Sequence, residues 1–491
     1  MRFYQALVSL SFILGLACAS GCRTDWVGQR HSAAEAYRSA LQEDTAAILA
    51  GFPEGLDLTN CVVIAKERNT RLAASQIAEK VAQMDRKAAF SVFLPQMQVT
   101  YNALSLSEEP LRRFGENSVP MQDKNSHETS IQIVQPLFAP SAWLLYRSAK
   151  RGAEIASLAQ ERTEQMIELS VVSAFYNHGS QVEQLAQLET EEAAARQLLR
   201  ESEAMAREGY VTDADLSSVR VLLMERTRGL DTARRDVQLS KSRLLQLMNL
   251  WPLAEIKLKT DTLLMENNAT YVVENPGRDP LTLSAQDLTN VPVEEWMFHA
   301  LVFRKDMQIQ DRTVALRRNE TLRALAMFIP NLVGFANYYR TSDSYTVNQE
   351  YWGTGLQASL SSFVGFRDVA AYLKARQESK GSYVEREEMA MTILVQVVEA
   401  YKNLVDTKAA LDVTEAAHEA ARKTLVAAEA EHRTGLMPLS QLLQARASHS
   451  QALTQWKISA FLHAMALHAF RNVEGGGIIP VETPPRGFVT P

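Results

Sequence analysis

The sequence predicts a mainly α protein with a few membrane β-strands, built as a duplicated helix–hairpin–helix unit. Three observations carry that expectation. Two long runs, 141–208 and 367–434, contain no proline. Short segments ahead of each run alternate polar and apolar residues, the period of a strand with two different faces. Paired landmarks recur at nearly one spacing: Pro95 to Pro330 is 235, Tyr176 to Tyr401 is 225 and Gly209 to Gly435 is 226. Such constancy marks an internal duplication.

In chain order, residues 1–22 read as a secretory signal. Arg2 supplies the positive start and residues 6–17 the apolar stretch, too short for a stable spanning helix. The run Ala19-Ser20-Gly21-Cys22 resembles a lipoprotein cleavage box, with lipidation expected at Cys22; Ala19 stands where leucine is preferred. Modification at Cys18, or simple cleavage after Ala17-Cys18-Ala19, are the competing readings. With Cys22 acylated, Cys61 is the one remaining thiol besides any residue left in the signal, and packing explains it.

Residues 23–56 form an N-terminal segment with a short helix before the break at Gly51-Phe52-Pro53. The first repeat is expected over 57–250. A helix over 57–92 ends at Leu94-Pro95, a strand follows at 98–103, a polar loop fills 107–126, and alternation resumes at 130–133. The first long run then makes a helix of about 100 Å. Arg207-Glu208-Gly209-Tyr210 breaks it, and Thr212-Asp213-Ala214-Asp215 reads as the cap of a helix reaching Leu250. Residues 251–292, rich in Pro, Gly and Asn, form a linker. The second repeat, 293–471, restates the pattern: a helix over 293–328, strands over 331–340 and 355–361, the second long run, a break at Gly435, Pro438 in a first helical turn, and a last helix. Residues 472–491, with Gly475-Gly476-Gly477 and the prolines beyond them, form a disordered tail.

In each copy the two short helices together match the long one in length, so they stack end to end beside it and pack as coiled coils. The hairpin lies at one end and the glycine turn at the other. Four strands cannot close a barrel, and open edges in lipid leave backbone groups unpaired. Three chains supply twelve strands, a permitted barrel size, so a homotrimer is expected.

In this order and spacing, Leu94-Pro95, Gln135-Pro136-Leu137-Phe138, Ala174-Phe175-Tyr176 with Ala400-Tyr401, and Arg207-x-Gly209 with Arg433-x-Gly435 resemble the TolC-type outer-membrane efflux proteins, over residues 57–471. The resemblance implies a trimeric twelve-stranded β-barrel on an α-helical periplasmic tunnel (an α-barrel). It also implies a lipid-anchored passive exit duct that docks a periplasmic adaptor (membrane fusion) protein and serves an inner-membrane transporter. The duct of a protein-secreting system, or a lipid-anchored coiled-coil scaffold without a pore, are the alternatives; the alternating strands speak against the scaffold.

The resemblance places adaptor binding at the turns: Arg207, Gly209 and Tyr210 in the first, and Arg433, Gly435 and Leu436 in the second. Both glycines also suit helix C-caps with positive φ. Where some members carry aspartates six and nine residues past the second turn, this chain has Gln441 and Gln444, which argues against a cation ring; Asp215 serves the cap. Nine histidines show no local metal spacing, with His463 and His468 on different flanks of one helix. The chain lacks Walker, G-x-S-x-G and dinucleotide motifs in usable context, so no cofactor and no enzymatic activity are expected. A formal charge of −6 leaves no basic excess for nucleic acid.

Overall fold

The computed structural model describes residues 26–114, 117–259, 270–273, 281–284, 287–360, 365–434 and 436–476. Cys22, Gly435, the signal and residues 477–491 of the expected tail lie outside them. The elements in chain order are α1 (Trp26–Ala50), α2 (Leu58–Arg68), α3 (Thr70–Ser91), β1 (Gln96–Ser105), β2 (Leu111–Phe114), β3 (Asn117–Pro120), β4 (Asn125–Phe138), α4 (Pro140–Arg207) and α5 (Asp213–Leu247). They continue with β5 (Thr270–Val273), β6 (Leu281–Ser284), a 3-10 turn (Asp287–Asn290), α6 (Val293–Phe303), α7 (Lys305–Ala326), β7 (Asn331–Thr341), β8 (Glu350–Ser359), α8 (Arg367–Arg433) and α9 (Leu439–Glu474).

The two long helices are continuous over 68 and 67 residues, about 100 Å each. Each lies beside two stacked shorter helices. The first short helix of each repeat, however, is broken. Asn69 leaves the helical region at φ −64°, ψ 121°, and its Oδ1 accepts from the backbone of Arg71 and Leu72, capping α3. Arg304 makes the same break at φ −66°, ψ 128°. These two breaks lie as far apart in the chain as Pro95 and Pro330 do. Neither position carries proline, so helical periodicity alone runs straight through it.

Other expectations need correction. Residues 107–126 hold a small hairpin, β2 paired with β3. The stretch 251–292 contains the β5–β6 hairpin and the 3-10 turn, and Leu258 bridges in parallel to Leu56. The helix in the N-terminal segment is 25 residues long. Pro438 precedes α9 as its N-cap, and α9 continues to Glu474, so residues 472–474 are helix rather than tail.

β1, β4, β7 and β8 form one antiparallel sheet in that order. The register places Val99, Ile131, Tyr338 and Trp352 in one cross-strand row, and Met97, Ile133, Ala336 and Thr354 in another on the same face. The opposite face carries the rows Gln98, Gln132, Asn337, Gly353 and Thr100, Ser130, Tyr339, Tyr351. One face is apolar and the other mostly polar. Gly355 is required by packing, since a Cβ there would meet the Phe335 ring at 2.5 Å.

Two buried clusters lie midway along the long helices. Phe175, Tyr176, Leu244, Leu245 and Met248 pack with Cys61 and Phe461 in the first. Trp296, Ile393, Val397, Leu404 and Phe470 make the second. Burial, reinforced by Asp57, pushes the Cys61 thiol up to about 12, so it acts as a small apolar side chain.

Candidate functional site: the sheet and the helical tips

The sheet joins its helices through an aromatic cluster. Phe93 lies 4.8 Å from Trp143 and 6.3 Å from Tyr146 between ring centroids, with Phe90 against Tyr146. Trp143 and Phe90 remain exposed, as do Tyr101 and Trp352 further along the strands. Aromatic side chains at both margins of an apolar band are the pattern of a membrane-inserted sheet. Gln135 ties strand to helix by donating to the Phe93 carbonyl at 2.8 Å. Beyond the far ends of the strands, Ser344 donates to Asp123 from its backbone and its hydroxyl, at 2.6 and 2.8 Å. The Asp123 backbone donates in turn to Asp343 at 2.9 Å. The bonds from Ser344 hold the Asp123 carboxyl below the usual carboxylate range. One latch thus links a loop of each repeat.

At the other end lie the glycine turns. α9 runs antiparallel to α4: Asn472 donates to the Gln165 carbonyl, and Lys457 pairs with Glu183 at 2.8 Å. Leu198 and Leu443 line one cleft together with Leu222 of α5. Continuing that register brings Arg207 level with Arg433, so both turns share one end of the molecule. Arg207, Gly209 and Tyr210 are exposed, as are Arg433 and Leu436. Tyr210 and Leu436, both large and apolar, are 83% and 81% exposed.

The turns close alike. The Tyr210 N–H donates to the Met205 carbonyl at 2.9 Å, and the Leu436 N–H to the Glu431 carbonyl at 3.0 Å. Both are the wide helix-ending bonds of a Schellman turn, and Gly209 supplies the positive φ of +78° that the first requires. Their locks differ. In the first, Thr212 accepts from the Asp215 N–H and donates its hydroxyl to the Asp215 carboxylate at 2.6 Å. In the second, α9 starts without a side-chain cap, and the His432 Nδ1–H donates to the Met437 carbonyl at 2.8 Å. His432 was not legible in the sequence, because its role depends on a backbone carbonyl across the turn. Among the described residues Arg207 donates only to the Glu203 carbonyl of its own helix, at 3.3 Å, which leaves most of its guanidinium available to a partner. Gln441 and Gln444 are exposed on the first turns of α9.

The arrangement sets an apolar-faced sheet at one end and exposed turns at the other. It is the architecture of the outer-membrane channels. The Campylobacter jejuni CmeC outer membrane channel matches with a TM-score of 0.66 at 16% identity, covering 87% of this chain and 87% of that one. The Vibrio cholerae outer membrane protein VceC matches with a TM-score of 0.66 at 15% identity, covering 86% and 97%. The open state of the Neisseria gonorrhoeae MtrE outer membrane channel matches with a TM-score of 0.60 at 15% identity, covering 86% and 89%. Residues 298–456, within the second repeat, match the family model described as outer membrane efflux protein. Comparison with curated proteins gives no match.

Proposed function

We propose that the chain is one subunit of a homotrimeric, passive exit duct of a tripartite efflux system in the outer membrane. The observation that carries this reading is the β1–β4–β7–β8 sheet. It has one apolar face, one mostly polar face and two unpaired edges, and it stands on helices of about 100 Å. Pairing β8 of one copy with β1 of the next removes the edges and closes twelve strands, with the apolar face toward lipid. Among the described residues no helix is long and apolar enough to cross a membrane. The fold likeness to outer membrane channels and the efflux-protein match over residues 298–456 support the same reading.

In this reading the helices extend into the periplasm as an α-barrel, and lipid on Cys22 anchors the N-terminal segment to the membrane. The tips, through Arg207, Gly209, Tyr210, Arg433, Gly435 and Leu436, dock a periplasmic adaptor bound to an inner-membrane transporter, which supplies the energy. Native mass spectrometry of the detergent-purified protein tests the assembly. Three copies per particle are expected, and a stable monomer would remove the closed barrel.

A further inference from the structure

Between the buried middle of the molecule and the second tip, α8 and α9 bring two histidines together. His418 of α8 and His449 of α9 have ring centroids 5.3 Å apart and planes inclined at 41°. The indole of Trp456 lies flat on the His418 ring, 5.1 Å away at 5°, and fixes its orientation. His418 Nδ1 and His449 Nε2 are both screened from solvent, and neither has a hydrogen-bond partner among the described residues. Two sheltered ring nitrogens without partners on facing helices call for a ligand that both can share.

The chemistry of the pair selects that ligand. A neutral imidazole offers a ring-nitrogen lone pair, and imidazole nitrogen is a common ligand of d-block cations. Glu419 and Arg422, the charged groups beside His418 on α8, satisfy one another through two hydrogen bonds of 2.9 Å each. An incoming cation therefore meets no uncompensated guanidinium there. A cation bound tetrahedrally at about 2.0–2.1 Å from one nitrogen of each imidazole sets the ring centroids about 5 Å apart. Among the described residues no group of three or more His, Cys, Asp or Glu side chains gathers, so the two imidazoles are the whole of the protein's share of the shell.

We propose that His418 and His449 bind one divalent d-block cation of the Zn2+, Ni2+ or Cu2+ class, which staples α8 to α9. His418 lies about four helical turns from Arg433 along α8, which sets the site roughly 22 Å from the second tip. The first repeat lacks it, because at the spacing that relates Gly209 to Gly435 the matching positions hold Glu192 and Leu223. The staple therefore stiffens one hairpin of the pair. The histidines were invisible to local motif spacing because they stand on different helices, with the second turn between them.

The test uses the full-length protein purified in detergent, stripped with EDTA, dialysed and titrated calorimetrically with ZnCl2, NiCl2 and MgCl2. The proposal expects one site per chain for zinc and nickel and none for magnesium. His418→Gln and His449→Gln should each weaken binding by about tenfold or more while the oligomer elutes unchanged. Should the glutamine variants fail to assemble, CuCl2 quenching of tryptophan fluorescence reads the same site. Wild type is then expected to lose emission that Trp456→Phe does not lose. No zinc or nickel binding by wild type, wild-type affinity in both glutamine variants, or identical quenching in Trp456→Phe would each overturn the proposal.

Discussion

The two repeats share a backbone and differ in the chemistry that fastens it. In the first, an amide spans the joint between stacked short helices: Asn69 caps α3 with its oxygen and donates from Nδ2 to the Leu247 carbonyl at the end of α5, at 2.8 Å. In the second, the end of α9 meets the α6–α7 break through buried polar and charged groups. Glu474, fully buried, pairs with Arg471 at 2.6 Å and lies 2.9 Å from His299. Arg162 of α4 bridges Asp306 at 3.2 Å and Asn472 at 2.9 Å, and Arg304 pairs with Asp306 at 2.9 Å. Gly475 ends the helix at φ +98° against Phe303 and Arg304, where a Cβ would crowd the backbone. The tips repeat the lesson, with a threonine cap in one and a histidine brace in the other. Duplication preserved where the chain must bend, while the side chains that hold each bend diverged.

The contrast can be broken at its strongest point. Glu474→Ala removes the buried carboxylate that pairs with Arg471 and leaves that guanidinium uncompensated, and should lower stability by about 3 kcal/mol or more. Asn69→Ala removes one cap and one hydrogen bond, with an expected loss of about 1–2 kcal/mol. Proteolysis rates of the detergent-purified variants at graded denaturant measure both, and equal losses would erase the distinction between an ionic and an amide joint.

The smallest effect on stability, and the sharpest on docking, is expected at the tips. Arg207→Glu combined with Arg433→Glu reverses charge on two exposed turns and should change stability by about 0.5 kcal/mol or less. Assembly should be normal, while crosslinking to the periplasmic adaptor and export both fall. Unchanged crosslinking and export would mean that these arginines serve only their helix ends.

Much of the architecture was legible in the sequence because it rests on local rules. Proline-free amphipathic runs mark α4 and α8 closely at both ends, and alternation marks the strands, although β4 and β8 begin earlier than alternation alone indicates. Arg207-x-Gly209 and Thr212 announce the first tip because helix caps are local. The breaks at Asn69 and Arg304 carry no such signal, since neither residue interrupts helical periodicity by itself. The repeat spacing that links them becomes meaningful only once one is seen. Glu474 with His299, and His418 with His449, depend on contacts between distant segments, which no local pattern reports.

In the proposed function the sheet is one part of a conducting barrel rather than the head of a solid scaffold. Planar-bilayer recording with the purified oligomer tests it most directly. Discrete, ohmic ion-conducting steps are expected as oligomers insert. Oligomers shown by protease protection to be inserted, yet carrying no current under any applied voltage, would contradict it.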